Sequence, residues 1–302
     1  MQHTMADGAG LVQFLDTVAE LARGAATPTV RPVWGRELLL APLDDSPRRP
    51  RFAHREYDDV PNTNATIMMP LDDMTHRSFV FGSRELAAVR SHLPPALRHS
   101  ATTFELLTGC LWKCRTSAMA PAANEEMRMI CIVNLRGRGH GGSIPRGYYG
   151  NALAFPVAVS TAGDLRANPV GYAVELVMKA KREVDLEYVR SVARLMARRG
   201  RPHFTVANAY LVSDVTKVGM CDLDYGWGKP VYAGPAKGGV GAIPGIASFL
   251  IAVKNAIGED GIAVPVCLPG PAMDKFGEEM SKLMRPAVVD IDDMSPRIIS
   301  AM

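Results

Sequence analysis

The fold predicted for this chain rests on one stretch, Asp222-Leu-Asp-Tyr-Gly-Trp-Gly-Lys-Pro230. Its glycines, Gly226 and Gly228, permit backbone angles closed to other residues, and Trp227 offers a large apolar face with one N–H donor. Taken alone, these features predict a tight structural turn. A second motif at the other end of the chain, His3-Thr-Met-Ala-Asp7-Gly8, changes that interpretation.

The two motifs together resemble the signature of the plant BAHD acyltransferases, acyl-CoA-dependent enzymes that carry HxxxD and DFGWG in this order. Tyr225 stands where that signature has Phe. Further phrases typical of the family extend the resemblance from His3 to about Pro271, and some are typical of the branch that transfers benzoyl and acetyl groups. These phrases are Arg31-Pro-Val-Trp34, His54-Arg-Glu-Tyr57, Val133-Asn-Leu-Arg136, Gly147-Tyr-Tyr-Gly-Asn151 and Gly238-Gly-Val-Gly-Ala-Ile-Pro-Gly245.

The resemblance implies an α/β fold of the chloramphenicol-acetyltransferase type, with mixed sheets flanked by helices in two domains. Family members carry a substantial region before HxxxDG, so we expect the first domain to be incomplete in this sequence. The implied division is residues 1–30 as a remnant of the N-terminal acyltransferase domain, 31–75 as a crossover linker, and 76–302 as the C-terminal domain with the DYGWG loop.

Hydrophobic periodicity predicts the elements between the motifs. Apolar residues spaced as on an amphipathic helix follow Gly8, and Gly24 and Pro28 end that helix. The other expected elements are a strand at His76–Phe81, a helix from Ser83 to Leu93, a helix begun by the capping box Thr102–Glu105, a strand at Arg128–Asn134, helix from Asn168 through to Arg199, a strand ending at Val212, a hairpin of Ala247–Val253 with Gly261–Leu268, and a helix at Pro271–Met284.

Composition excludes several function classes. The formal charge of +3 comes from 34 basic and 31 acidic residues, which is too balanced to indicate nucleic-acid binding. Five cysteines without a CxxC pair predict reduced thiols of a cytosolic protein. The sequence contains no run of 18 apolar residues and no signal-peptide pattern, so we expect a cytoplasmic monomer with no membrane partner.

Acyl transfer from a thioester to an alcohol needs one well-placed base, because a hydroxyl is not ionised at neutral pH. Imidazole suits this task, since its pKa near 6.5 leaves it largely neutral. The resemblance assigns this role to His3, which returns the proton to the departing CoA sulfur without a covalent acyl-enzyme. Acyl-CoA is then a co-substrate, and no permanently bound cofactor is expected.

The resemblance gives Asp7 and Asp224 supporting places beside His3 in the catalytic set. From its position alone, Asp7 is interpreted as a helix N-cap. The resemblance implies a different structural role, in which its carboxylate pairs with an arginine, for which Arg136 is the candidate, and keeps the His loop with Gly8 in shape. Asp224 is expected to brace its loop through Gly226 and Gly228 while Trp227 packs and Tyr225 completes the loop.

A second group of candidates precedes the DYGWG loop and aligns with family positions that face the acyl or alcohol pocket. It consists of Ser213, Asp214, Thr216 and Lys217. Lys217 occupies a place where some relatives carry an arginine for an acidic acceptor. An exposed strand lysine is the plain alternative.

Other interpretations stay open at this point. The chain could be a non-catalytic, truncated remnant with weak CoA binding. A metal site at His3 and Asp7 is disfavoured, because two ligands do not close a site. The run Arg136–Gly142 is interpreted as a solvated loop rather than an RNA contact. The run Gly234–Gly241 lacks the Gly-Lys-Ser/Thr ending of a phosphate loop, and so is not assigned to a nucleotide.

Overall fold

A computed structural model describes residues 2–40, 51–60, 73–137, 144–236, 245–254 and 258–287. Two predicted loops lie partly outside these residues, at 138–142 and at 237–241. The helices are α1 (Gly8–Ala22), α2 (Ser83–Ser91), α3 (Pro95–Ser100), α4 (Thr103–Met119), α5 (Ala162–Ala167), α6 (Val170–Arg182), α7 (Leu186–Arg199) and α8 (Gly270–Leu283). Short 3₁₀ turns occur at Arg36–Leu39, Arg55–Tyr57 and Met220–Asp222.

The described strands form one six-stranded mixed sheet and one two-stranded sheet. They are β1 (Met74–Phe81), β2 (Glu126–Cys131), β3 (Val133–Asn134), β4 (Leu153–Ala154), β5 (Val157–Thr161), β6 (Ala209–Asp214), β7 (Ala247–Lys254) and β8 (Asp260–Pro269). The order in the large sheet is β1-β8-β7-β6-β2-β5, and β3 pairs with β4. Strand β6 runs parallel to both β2 and β7, whereas the outer pairs are antiparallel.

Helix α4 lies at the centre of the main core. Its start is the predicted capping box, in which Thr102 Oγ1 accepts from the Glu105 amide and the Glu105 carboxylate accepts from the Thr102 amide. Thirteen of its 17 residues are buried, so the helix is covered on nearly all sides. Gly109 permits close contact with α6, because a Cβ there would lie 2.8 Å from the Val174 amide nitrogen.

The predicted hairpin near the C-terminus is present, with β7 antiparallel to β8. The strand and helix predicted from His76 and Ser83 are also found, as β1 and α2. The α/β fold with a mixed sheet flanked by helices is therefore confirmed.

Two predicted elements are each divided in two. The strand expected at 128–134 ends at Cys131, because the next residues leave the large sheet to pair with β4. The helix expected to continue to Arg199 stops at Arg182, and α7 begins anew where the Asp185 carboxylate accepts from the Tyr188 amide. That second start is an N-cap, which the charged composition of the segment concealed.

Candidate active site

His3 lies in a turn just before α1, as the sequence predicts. The Met5 amide donates to the Gln2 carbonyl at 3.0 Å, which places His3 and Thr4 at the centre of the turn. Asn151 Nδ2 donates to the His3 carbonyl at 2.8 Å. Within the part of the chain that the structure describes, the exposed imidazole has no polar partner. The turn is thus held by its backbone, and the imidazole can meet a ligand.

Asp7 is the N-cap of α1, and its carboxylate is fully engaged. Oδ1 accepts from the Gly10 amide at 3.0 Å, and Oδ2 accepts from Arg136 Nη1 at 2.7 Å and from the Ala152 amide at 2.9 Å. The side chain is 1% exposed. Both predicted contacts, the helix cap and the ion pair with Arg136, are therefore present. Three accepted hydrogen bonds suit a structural anchor better than a proton carrier.

Helix α1 packs against the segment 147–152, which we call its seat. Arg136 Nη2 donates to the Gly150 carbonyl at 2.6 Å, so its ion pair with Asp7 is tied to this segment. Gln13 Nε2 donates to the Gly147 carbonyl at 2.9 Å. The helix comes so close at Gly10 that a Cβ there would lie 1.9 Å from the carbonyl oxygen of Tyr149. In the sequence this segment is visible only as a family phrase.

The apolar stripe of α1 points away from this seat. Phe14 is 52% exposed, Val18 is 39% exposed and Leu21 is 47% exposed. The predicted amphipathic helix is present, but its apolar stripe is not its buried side. Small and polar side chains make the contact instead, because the backbone of the seat lies too close for large ones.

The start of α1 forms one wall of a cavity of about 430 Å³. Strands β3, β4, β6 and β7 and the chain after β6 supply the other walls. The lining residues are His3, Ala6, Asp7, Gly8, Ala9, Leu11, Ile132, Asn134, Arg136, Leu153, Ser213, Asp214, Val215, Val218, Met220, Pro235 and Phe249. Most are apolar, and the few polar groups converge near His3 and the end of β6. This combination is typical of a small-molecule site.

Two of the four candidates before the DYGWG loop reach this cavity. Ser213 is 8% exposed and lines it, and within the described chain its hydroxyl has no hydrogen-bond partner. Asp214 also lines it, and its Oδ1 accepts from the Thr216 hydroxyl at 2.6 Å and from the Thr216 amide at 2.9 Å. Thr216 and Lys217 are not among the lining residues, and Lys217 is exposed. The expectation that these two face substrate receives no support.

The DYGWG loop is braced as predicted, but Trp227 does not pack. Asp224 Oδ1 accepts from the amides of Gly226 at 2.7 Å and Gly228 at 2.9 Å, and both glycines have positive φ, 104° and 98°. These two amides hold the pKa of Asp224 below its usual value. The Trp227 side chain is 92% exposed, because the tight turn points it outward. Tyr225 is half-buried.

The loop and His3 lie at opposite ends of α1. A Cβ on Gly226 would lie 3.8 Å from Cγ of Arg23, the C-cap residue of α1, whereas Asp7 is the N-cap. A helix of this length spans about 20 Å. None of residues 224–228 belongs to the described walls of the cavity. The structure therefore places Asp224 too far from His3 for Asp224 to exchange a proton with it.

Other groups are poor candidates for chemistry. Burial raises the pKa of the Cys110 and Cys131 thiols to about 12, so neither is a thiolate at neutral pH. Among the described residues, no three His, Cys, Asp or Glu side chains are grouped to hold a metal ion. Within the same residues, no helix is long and apolar enough to cross a membrane.

Sequence reasoning missed most of the cavity wall. Ile132, Leu153, Met220 and Phe249 come from separate parts of the chain and carry no motif. Their apolar character predicts burial, but only the sheet order shows that they meet. No signal in a single sequence would have found them.

Comparison with protein families gives one match that covers nearly the whole chain. The model named Transferase family matches residues 1–283. The chain belongs to this family. The BAHD resemblance predicted from the HxxxDG and DYGWG motifs is confirmed.

Curated relatives of this family member are alcohol acyltransferases. Over 285 residues it is 55% identical to benzyl alcohol O-benzoyltransferases of Petunia hybrida and of Nicotiana tabacum. Each alignment covers 94% of this chain and 61% of the relative. It is 47% identical to alcohol acyl transferase 1 allele GSc of Malus domestica, over 96% of this chain and 62% of that protein. The chain thus spans about 61% of the length of the first two relatives.

Solved structures with the same fold are more distant in sequence. TRI101 of F. graminearum, complexed with coenzyme A and deoxynivalenol, has a TM-score of 0.68 at 16% identity, covering 92% of this chain and 64% of that one. Vinorine synthase has a TM-score of 0.60 at 19% identity, covering 93% of this chain and 60% of that one. At these identities the likeness concerns the fold.

Proposed function

We propose that this chain carries the acyl-transfer site of an acyl-CoA-dependent O-acyltransferase, with His3 as the general base. The observation that carries the proposal is the position of the HxxxDG imidazole. It lies on the wall of an apolar cavity. The chain that carries it is 55% identical to benzyl alcohol O-benzoyltransferases. The donors we propose are benzoyl-CoA and acetyl-CoA, and the acceptor is a small alcohol.

The proposed reaction proceeds in one encounter of both substrates. The alcohol oxygen attacks the thioester carbonyl carbon while His3 takes the hydroxyl proton. The C–S bond of the tetrahedral intermediate then breaks, and the sulfur of coenzyme A leaves with the proton from His3. No acyl-enzyme forms in this scheme, and no resident cofactor or metal takes part. The high pKa of the buried Cys110 and Cys131 thiols is consistent with it.

The cavity walls favour an uncharged alcohol over an alcohol that also carries a carboxylate. Arg136 is the one cation of the described walls, and its charge is paired with Asp7. The carboxylate of Asp214 would repel an acidic acceptor. Lys217, the group considered for an acidic acceptor, is exposed and outside the lining. We further propose that the protein acts as a cytoplasmic monomer.

The test compares benzyl alcohol with mandelic acid, which has the same phenyl ring and a hydroxyl but adds a carboxylate. Ester formation from benzoyl-CoA is measured by mass spectrometry, alongside intact-protein mass after incubation with donor alone. We expect benzyl benzoate, little mandelate ester and no benzoylated protein. Preferred esterification of mandelate would refute the neutral-acceptor proposal. A stable benzoyl adduct on the protein would refute direct transfer.

A further inference from the structure

Arg36 is an arginine outside both motifs that reaches the turn of His3. It lies in the 3₁₀ turn Arg36–Leu39, and its Nη2 donates to the Met5 carbonyl at 2.9 Å. Its guanidinium carbon lies 3.8 Å from the ring centroid of Trp34. Within the described chain it forms no ion pair with a carboxylate. Its main contacts are therefore one aromatic face and one backbone carbonyl of the His3 turn.

The Trp34 ring that supports Arg36 itself contacts the seat of α1. Trp34 packs against Tyr149 with ring centroids 5.4 Å apart. Beside it, the Val33 amide donates to the Gly147 carbonyl at 2.8 Å, and a Cβ on Gly147 would lie 2.2 Å from the Arg31 carbonyl oxygen. The segment that carries Arg36 is thus in close backbone contact with the seat.

The His3 turn is consequently held from two directions. Asn151, in the seat, donates to the His3 carbonyl, and Arg36 donates to the Met5 carbonyl two residues later. A planar guanidinium can stack on a ring and donate at the same time, which a lysine ammonium cannot do in the same geometry. An arginine is therefore the side chain that suits this place.

We propose that Arg36 is a positioning residue for His3, which acts by holding the Met5 carbonyl while stacked on Trp34. Its effect on catalysis rests on the proposed function, but its effect on the turn does not. Without Arg36, the turn keeps its bond to Asn151 and the Asp7 anchor that follows it, but the Met5 carbonyl between them loses its side-chain donor. The imidazole then spends less time where a substrate hydroxyl can reach it.

The experiment uses Arg36→Met, which keeps apolar length over Trp34 but removes every donor, and Arg36→Lys, which keeps the charge. The matched control is Arg84→Met on α2, at an exposed arginine far along the chain. Two readouts are taken: hydrogen–deuterium exchange of residues 2–7, with residues 103–119 as internal reference, and kcat and KM for benzoyl-CoA with benzyl alcohol.

We expect Arg36→Met to speed exchange of residues 2–7 and to lower kcat by about 10-fold to 100-fold, with KM for both substrates within about twofold of the parent chain. Arg36→Lys should recover only part of kcat, and Arg84→Met should change neither readout. Unchanged exchange and unchanged kcat in Arg36→Met would overturn the proposal. So would a rise in KM at constant kcat, which indicates substrate binding instead.

Two further outcomes must be distinguished, namely that the variant does not fold and that the parent chain is inactive. If Arg36→Met does not fold, Trp34→Ala decides, because it removes the stacking and leaves the arginine. Faster exchange of residues 2–7 supports the proposal, and unchanged exchange overturns it. If the parent chain transfers no acyl group but exchange responds to Arg36→Met, the positioning contact stands and the proposed function fails.

Discussion

Replacing Gly10 by alanine should loosen α1 from its seat. The added Cβ would lie 1.9 Å from the Tyr149 carbonyl oxygen, where a carbon and an oxygen need about 3.3 Å. Helix and seat must therefore separate by more than about 1 Å, which strains the bonds of Asp7 to Arg136 and to the Ala152 amide. Overpacking of this kind costs about 1 to 3 kcal/mol, and weakened charged hydrogen bonds add to it.

Alanine also favours a helix by about 1 kcal/mol over glycine, so we expect a net loss of about 2 kcal/mol in the free energy of unfolding. The assay is urea denaturation followed by circular dichroism, with hydrogen exchange along residues 8–22. Gly8→Ala is the matched control, because a Cβ there meets no atom within 4 Å and should leave stability equal or higher. Equal stability of the two variants would refute the close contact with Tyr149.

Three other predictions test separate parts of the site. A double-mutant cycle of Asp7→Ala with Arg136→Met should give a coupling of about 1 to 3 kcal/mol in the free energy of unfolding. A coupling near zero would show that the ion pair does not anchor the turn. Asp224 has a lowered pKa, so its bracing of the DYGWG loop should be present at neutral pH and be lost as the pH falls through that lowered value. The NMR shifts of the Gly226 and Gly228 amides should follow that titration, and should be insensitive to acid in Asp224→Ala. Ser213→Ala should lower kcat/KM for the alcohol by about 10-fold with little change in stability, because Ser213 lines the cavity and its hydroxyl has no hydrogen-bond partner in the described chain. Unchanged kcat/KM would show that Ser213 does not contact the substrate.

Much of the site was predictable because its anchors are local in sequence or belong to a family pattern. The position of Asp7 before an apolar-periodic stretch predicts an N-cap, and the structure shows that cap. The Arg136 partner followed from the family phrase and is also present. The brace of Asp224 was predictable for the same local reason, since the backbone amides that donate to its carboxylate lie two and four residues later.

The remainder depends on contacts between distant segments. Periodicity correctly predicts that α1 is amphipathic, but it cannot tell that Gly10 rather than Phe14 faces the protein. Arg36 carries no motif, and its role is visible only because Trp34 and Tyr149 bring it beside the His3 turn. The resemblance implies that Trp227 packs, yet the turn that Asp224 braces directs its side chain outward.

The role of His3 as general base is decided by alcohol-dependent thiol release from benzoyl-CoA, measured on this chain and on His3→Gln. Circular dichroism is recorded on both to show that they are folded. We expect release that requires benzyl alcohol in the parent chain and falls by more than about 100-fold in His3→Gln, because the base is removed while the turn is kept. Undiminished release in His3→Gln, or no release from the folded parent chain, would contradict that role.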